Sequence, residues 1–307
     1  MPAKIGTSAP ASGLVTVVVP VPALKTCLEL LKPVTWFAPI WAFFCGVISA
    51  GQPLAGHWVT ILLGLLLAGP MVCGTSQAVN DWFDREVDAI NEPGRPIPSG
   101  RMPGAWGLYI GIIWTAVSLV VAAGLGRWGF GAAVVALALA WAYSAPPLRL
   151  KRNGWWGNAA VAICYEGVPW FTGAAIMTGH LPSNFILVLA LLYSVGAHGI
   201  MTLNDFKSVE GDRAVGIRSL PAMLGEAAAA KLACWVMILP QLAVIALMLF
   251  SHHPITALVL TGFVSAQILL MVDLLDEPQL KAVWYNATGT TLYVSGMLAC
   301  AIALAST

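Results

Sequence analysis

Charge is what this sequence has least of. Asp, Glu, Lys and Arg together make up 9% of the 307 residues, against about 25% in an ordinary soluble domain. With 59% hydrophobic residues and a mean hydropathy of +0.82, that scarcity excludes a soluble globular protein. The six cysteines (Cys27, Cys45, Cys73, Cys164, Cys234 and Cys300) include no CxxC pair. They read as small apolar packing groups, not as a disulfide framework or a thiolate metal site. No Ser–His–Asp or Cys–His arrangement is present either, which leaves hydrolase-type nucleophilic catalysis without a candidate. No nucleic-acid partner is expected. The first 32 residues lack a small-residue cleavage site, and Pro20 and Pro22 would break a signal helix. Residues 1–32 therefore read as a tail, in which LKTCLELLK forms a short interfacial helix with Leu24, Leu28 and Leu31 on one face.

What the sequence has instead is long apolar runs. Nine are long enough to span the hydrocarbon, which takes roughly 20 residues each: about 34–51, 58–79, 105–125, 128–145, 156–178, 183–203, 228–250, 255–273 and 285–304. Their short links leave no room for a second, soluble domain. The expectation is an all-α integral membrane protein, residues 33–307 forming one bundle of nine transmembrane helices. Alternating the loops puts 14 of the 15 Lys and Arg residues on one side and only Arg127 on the other. Basic residues concentrate in cytoplasmic loops, so the N-terminus and the charged loops are expected to be cytoplasmic.

One of those loops is unusual. NDWFDREVDAINEPGRPIPSG, residues 80–100, holds five of the chain's 14 acidic side chains. Asn80, Asp84 and Asp88 recur every four residues, with Asp81 one turn from Asp84, so a helix lines them along one side. Like charges so placed repel unless a cation sits among them. A second copy follows at 204–212, NDFKSVEGD: Asn204, Asp205 and Asp212 match Asn80, Asp81 and Asp88. Each copy closes an apolar run at the same membrane face, and internal duplication is the simplest account. Carboxylate and amide oxygens suit Mg²⁺, which is held by a few carboxylates and by substrate phosphate oxygens. Arg95, Arg149, Lys151, Lys207 and Arg213 lie on the same side, and acids holding a cation beside such bases make a seat for a diphosphate.

Paired NDxxDxxxD-type motifs on a nine-span chain resemble the UbiA superfamily of intramembrane prenyltransferases. NDWFDREVDAINEPGRPIPSG, YSAPPLRLKRNGW and LNDFKSVEGDRAVGIRSLP are similar to its chlorophyll and bacteriochlorophyll synthase branch, and AHGIMTLNDFKSVEGDR leans to the bacteriochlorophyll side. The resemblance implies a bundle around a central cavity under cytoplasmic cap loops, in the bacterial inner, photosynthetic membrane. It implies Mg²⁺ as cofactor, held by Asn80, Asp81, Asp84, Asp88, Asn204, Asp205, Glu210 and Asp212, with Asp81, Asp84, Asp88, Asp205 and Asp212 essential to catalysis. It also implies transfer of a geranylgeranyl or phytyl group from its diphosphate to the propionate of bacteriochlorophyllide. Surrounding lipid is a partner, and association with other pigment-biosynthesis enzymes is admitted. One departure is Ser208, where the superfamily usually has a third aspartate; it sits between Lys207 and Glu210. Two other readings stand beside this one: a quinone or haem prenyltransferase, and a secondary transporter with acidic ion sites.

Two ionisable groups fall inside apolar spans, where such groups default to functional hypotheses. Glu166 reads as a protonated acid bonded to a neighbouring helix, or as part of the acceptor site. His198 lies seven residues before Asp205, roughly 10 Å deeper. It reads either as an axial ligand to the acceptor's Mg or as an interhelical hydrogen-bonding group.

Overall fold

A computed structural model of the chain describes residues 20–306. The described residues are almost wholly helical. In chain order the helices are α1 (Leu24–Leu31), α2 (Phe37–Ser49), α3 (Trp58–Leu66), α4 (Gly74–Asn91), α5 (Trp106–Gly124), α6 (Gly126–Ser144) and α7 (Gly154–Ala162). They continue with α8 (Val168–Thr178), α9 (Asn184–Asn204), α10 (Val209–Val215), α11 (Leu220–Leu224), α12 (Glu226–Phe250), α13 (Pro254–Asp276) and α14 (Pro278–Ala305). Two π-helical stretches, Leu67–Cys73 and Ile163–Gly167, join α3 to α4 and α7 to α8 into longer rods.

Among the described residues seven such helices are long and apolar enough to cross a membrane. An eighth is added if Leu24–Leu31 and Pro33–Ser49, bent by 41°, count as one span. The expected run at 128–145 is the 19-residue α6, in which Arg127, Trp128, Trp141 and Tyr143 lower the hydropathy.

The rods form a closed circuit. α2 packs on α8, α8 on α9, α9 on α12, α12 on α13 and α13 on α14, and α14 returns to α2. Apolar surface alone does not hold helices together in lipid, so close packing and interhelical hydrogen bonds carry the association. Gly46 and Gly173 let α2 and α8 touch: a Cβ on Gly46 would lie 2.1 Å from the Trp170 carbonyl oxygen, and one on Gly173 2.2 Å from that of Phe43. The Trp41 indole donates to the Val294 carbonyl at 2.9 Å, fastening α2 to α14. Gln241 and Gln267, both buried, exchange amide hydrogen bonds at 3.1 and 2.9 Å between α12 and α13.

Helix α1 is amphipathic, with a different division from the one expected. Leu24 and Leu28 are 76% and 45% exposed, whereas Leu31 is 3% exposed and packs with Leu30 against α4 and the 97–110 region. The buried stripe runs through Thr26, Cys27 and Leu30, and Leu31 sits at its edge, about 60° round the helix from Leu28. The tail stretch before residue 20 lies outside the described residues.

At one end of the bundle the loops interlock. Asn153 pairs with Arg218, through Gly154 N–H to the Arg218 carbonyl at 2.8 Å and Arg218 N–H to the Arg152 carbonyl at 3.0 Å. The basic turn after α6 is thereby tied to the segment following the second acidic motif.

Candidate active site

The two acidic motifs meet. Asn80, Asp84 and Asp88 of α4 line a chamber of about 790 Å³ together with Asn204, Asp205, Ser208, Glu210 and Asp212. α4 and α9 run to the same end of the bundle, so each motif arrives there on its own helix. α9 gives way to a 3₁₀ turn at Asp205–Ser208, and α10 then folds Glu210 and Asp212 back over the chamber.

Each acid of the first motif is held by a base. Lys151 donates to Asp84, and Arg149 reaches the same oxygen at 3.3 Å. Asn80 donates to the other Asp84 oxygen at 3.0 Å and to Ser144 at 3.4 Å. Arg95 donates to Asp88 at 2.8 Å and to Glu92 at 2.5 and 2.7 Å. Burial works against the charge on Arg95, but the hydrogen bond to Glu92 and the charges of Asp81 and Asp88 outweigh it and push its pKa up. The same hydrogen bond holds Glu92 below the usual carboxylate range. Burial lowers Lys151, and Asp84 opposes that shift.

In the second motif Asn158 of α7 donates to Asp205 at 3.0 Å and to Thr202 at 3.4 Å. Ser208 donates to Asp212 at 3.2 Å. Among the described residues no three acidic, histidine or cysteine side chains already converge as a metal site. The donors facing the chamber are nevertheless carboxylate and amide oxygens from two opposed helices, the chemistry a hard cation takes in company with phosphate oxygens.

Several expected residues sit elsewhere. Asp81 does not line the chamber. It is 1% exposed, bonded to Lys32 at 2.6 Å and to Arg95 at 3.4 Å, and its second oxygen is buried without a partner. One residue round the helix from Asn80 is a turn of about 100°, enough to aim it at α1 instead. Of the expected phosphate-binding bases, Arg95, Lys151 and Lys207 line the chamber; Arg149 and Arg213 do not. Arg149 approaches Asp84 from behind, by way of the Phe83 carbonyl at 3.3 Å, and Arg213 is exposed. His198 lines neither this chamber nor the deeper one described next. Its Nε2 lies 3.2 Å from the Trp155 carbonyl oxygen and its ring 5.7 Å from the Trp155 ring, because α7 packs across that face of α9. Glu166 is buried, with Oε2 unpartnered, and lines neither chamber.

The deeper chamber, about 590 Å³, shares Asn80, Glu92, Arg95, Tyr143, Asn158, Asn204, Asp205 and Lys207 with the first. Its remaining wall is largely apolar, with Ala68, Val72, Ala136, Leu139 and Ala140 among its residues. A slot of about 30 Å³ shares Ala68, Val72, Ala136 and Cys164 with it and continues to Ala132 and Thr172. Ser144 stands at the acidic end of α6, so Ala132, twelve residues back, is about 18 Å away. Sequence reasoning missed Tyr143, Asn158 and Lys32. An amide inside the apolar run GWWGNAAVA was the signal for Asn158.

The profile of the UbiA prenyltransferase family matches residues 37–305. The chain is 57% identical to the bacteriochlorophyll synthase 33 kDa chain of Cereibacter sphaeroides over 92% of its own length and 94% of that relative's. It is 38% identical to the chloroplastic chlorophyll synthase of Oryza sativa, over 91% of this chain and 76% of that one. Its fold is similar to that of a UbiA homolog from Archaeoglobus fulgidus bound to GPP and Mg²⁺, with a TM-score of 0.70 and 18% identity, covering 91% of this chain and 99% of the other.

Proposed function

The chain belongs to the UbiA prenyltransferase family, in its bacteriochlorophyll synthase branch, and from that premise we propose how its residues work. It is a multi-pass membrane prenyltransferase that esterifies a chlorophyllide-type acid, which sets the transporter alternative aside. The finer reading takes bacteriochlorophyllide as acceptor and geranylgeranyl or phytyl diphosphate as donor. The observation that carries it is the pair of opposed Asn–Asp motifs around one polar chamber opening into a deeper one with an apolar wall at Ala136, Leu139 and Ala140. We place nine crossings in the bacterial inner membrane, α6 being the ninth beside the eight above, with the acidic end cytoplasmic.

The donor's diphosphate sits in the polar chamber. Lys151, Lys207 and Arg95 bind its oxygens there. Asp84, Asp88, Asp205, Asp212 and Glu210, with Asn80 and Asn204, would hold Mg²⁺, which supplies the positive charge that neutralises the departing diphosphate. Fixed bases facing the same anion act as preorganised electrostatic stabilisation. The bond between prenyl C1 and the diphosphate oxygen breaks, its electron pair leaving with the diphosphate. A lone pair of the acceptor's carboxylate then forms the new C–O bond. A propionic acid with a pKa of about 4 to 5, in the range of Asp and Glu side chains, is already ionised at neutral pH, so no proton moves and no base is needed. The apolar wall of Ala136, Leu139 and Ala140 keeps water from the allylic cation.

The test is purified protein with Mg²⁺, geranylgeranyl diphosphate and bacteriochlorophyllide, with ester detected by chromatography. Quinone precursors and haem serve as competing acceptors. Ester on one of those and none on the chlorin would overturn the acceptor assignment.

Two expectations follow for neighbouring residues. Ser208→Asp should not raise turnover, because it sets a further carboxylate against Asp212 beside an anionic leaving group; a large rate gain would mean that the second motif lacks a needed ligand. The slot at Ala132 is assigned to the far end of the donor's tail. Ala132→Phe should therefore lower turnover of the four-isoprene donor about tenfold, the scale of overpacking a filled site. It should spare farnesyl diphosphate, which is one unit shorter. Equal losses on both donors would remove the slot from the tail's path.

A further inference from the structure

The deeper chamber is not apolar all round. Cys73, Ser76, Gln77 and Asn80 follow one face of the rod that contains α4, and all four line the chamber. Tyr165 meets them from the π-helical stretch Ile163–Gly167, and Cys73 ends the other π-helical stretch. Single π turns inside α-helices recur at functional sites, and here both aim a polar side chain into the same space. The Gln77 amide donates to the Tyr165 hydroxyl at 3.5 Å, and the Cys73 thiol lies 3.9 Å from it. Among the described residues the only acceptor for the hydroxyl's own proton is the Cys73 sulfur, a weak one at 3.9 Å.

A hydroxyl that lines a chamber with only a distant sulfur to donate to is poorly paired, and a ligand oxygen there would pair it better. The donor's tail is pure hydrocarbon and cannot do so. The acceptor can, since its macrocycle carries carbonyl groups at the ring edge. Gln77 lies seven residues below Asp84 on the same helix, about 10 Å deeper. An acceptor whose carboxylate reaches the diphosphate end therefore brings its ring edge to this level.

We infer that the Tyr165 hydroxyl donates a hydrogen bond to a ring-edge carbonyl of the acceptor, and that Gln77 orients that hydroxyl. The inference rests on the chlorin reading of the acceptor given above. It makes Tyr165 a specificity residue: an acceptor with a carbonyl at the right edge gives the hydroxyl a strong partner, and one without it leaves the hydroxyl on the weak Cys73 sulfur.

The experiment is steady-state esterification by wild type and Tyr165→Phe, a change that removes one oxygen and keeps the ring. KM for bacteriochlorophyllide should rise about tenfold, the scale of one lost hydrogen bond in a site closed to water. KM for geranylgeranyl diphosphate should stay unchanged, and the melting temperature should not fall. Two further acceptors are compared: chlorophyllide, with vinyl in place of the ring-edge acetyl, and a derivative whose ring ketone is reduced to methylene. With one of them wild type and variant should perform alike, which identifies the carbonyl. The same factor lost on all three acceptors, or a rise in KM for the donor, overturns the inference. Failure of wild type to esterify any chlorin would instead sink the acceptor reading beneath it.

Discussion

Asp84→Ala should reduce ester formation by about 10²–10³-fold, the loss seen when one preorganised electrostatic element is removed from an active site. Asp84 faces the polar chamber from α4, with one oxygen held by Asn80 at 3.0 Å and the other by Lys151 and Arg149. Removing it takes away an oxygen ligand and leaves the largely buried Lys151 ammonium without its counter-charge. Asp212→Ala, on the opposite wall, should lose activity on the same scale. For the wild-type protein a chelator should abolish turnover and added Mg²⁺ should restore it. In either variant the residual activity should require more Mg²⁺ to saturate. The measurements are initial rates against Mg²⁺ concentration, with melting temperatures to separate lost chemistry from lost fold. Full turnover in chelator, or in Asp84→Ala, would sink the assignment of these carboxylates to a metal–diphosphate site.

Both motifs were legible because the sequence marks them twice over. Acids are scarce in a chain of this composition, so five of them within 80–100 stand out, and the copy at 204–212 fixes the partner. Residue spacing on a helix then places Asn80, Asp84 and Asp88 on one face, and the structure keeps them there. What spacing does not carry is what faces each residue from another helix. Asp81 belongs to the motif by sequence and to the α1 contact by geometry, because Lys32 happens to fold beside it. His198 has the register of Asp205, yet α7 covers that face with Trp155. Arg149 and Lys151 are two residues apart, and only Lys151 enters the chamber. The bundle itself followed from long apolar runs. The span at α6 is the ambiguous one, since Arg127 and the aromatic groups at its ends lower its hydropathy.

Asp81→Ala should behave unlike Asp84→Ala, although both residues sit in one motif. Asp81 is 1% exposed and bridges Lys32, at the end of α1, to Arg95, in the turn after α4. Breaking a buried ion pair from one side leaves the other charge uncompensated and costs about 3–5 kcal/mol. The partners here keep some solvent access, Lys32 and Arg95 each being 23% exposed, which puts the expectation at the lower end. The variant should melt earlier and free α1 from α4, while the protein that stays folded should need no more Mg²⁺ than wild type. Replacing both partners, Lys32→Met with Asp81→Leu, should recover much of the lost stability, since an apolar pair removes both buried charges at once. Melting curves of the four proteins in one detergent, with Mg²⁺ titrations of the active ones, decide the matter. If Asp81→Ala keeps its melting temperature and instead raises the Mg²⁺ requirement as Asp84→Ala does, Asp81 is a metal ligand and the Lys32 contact is incidental.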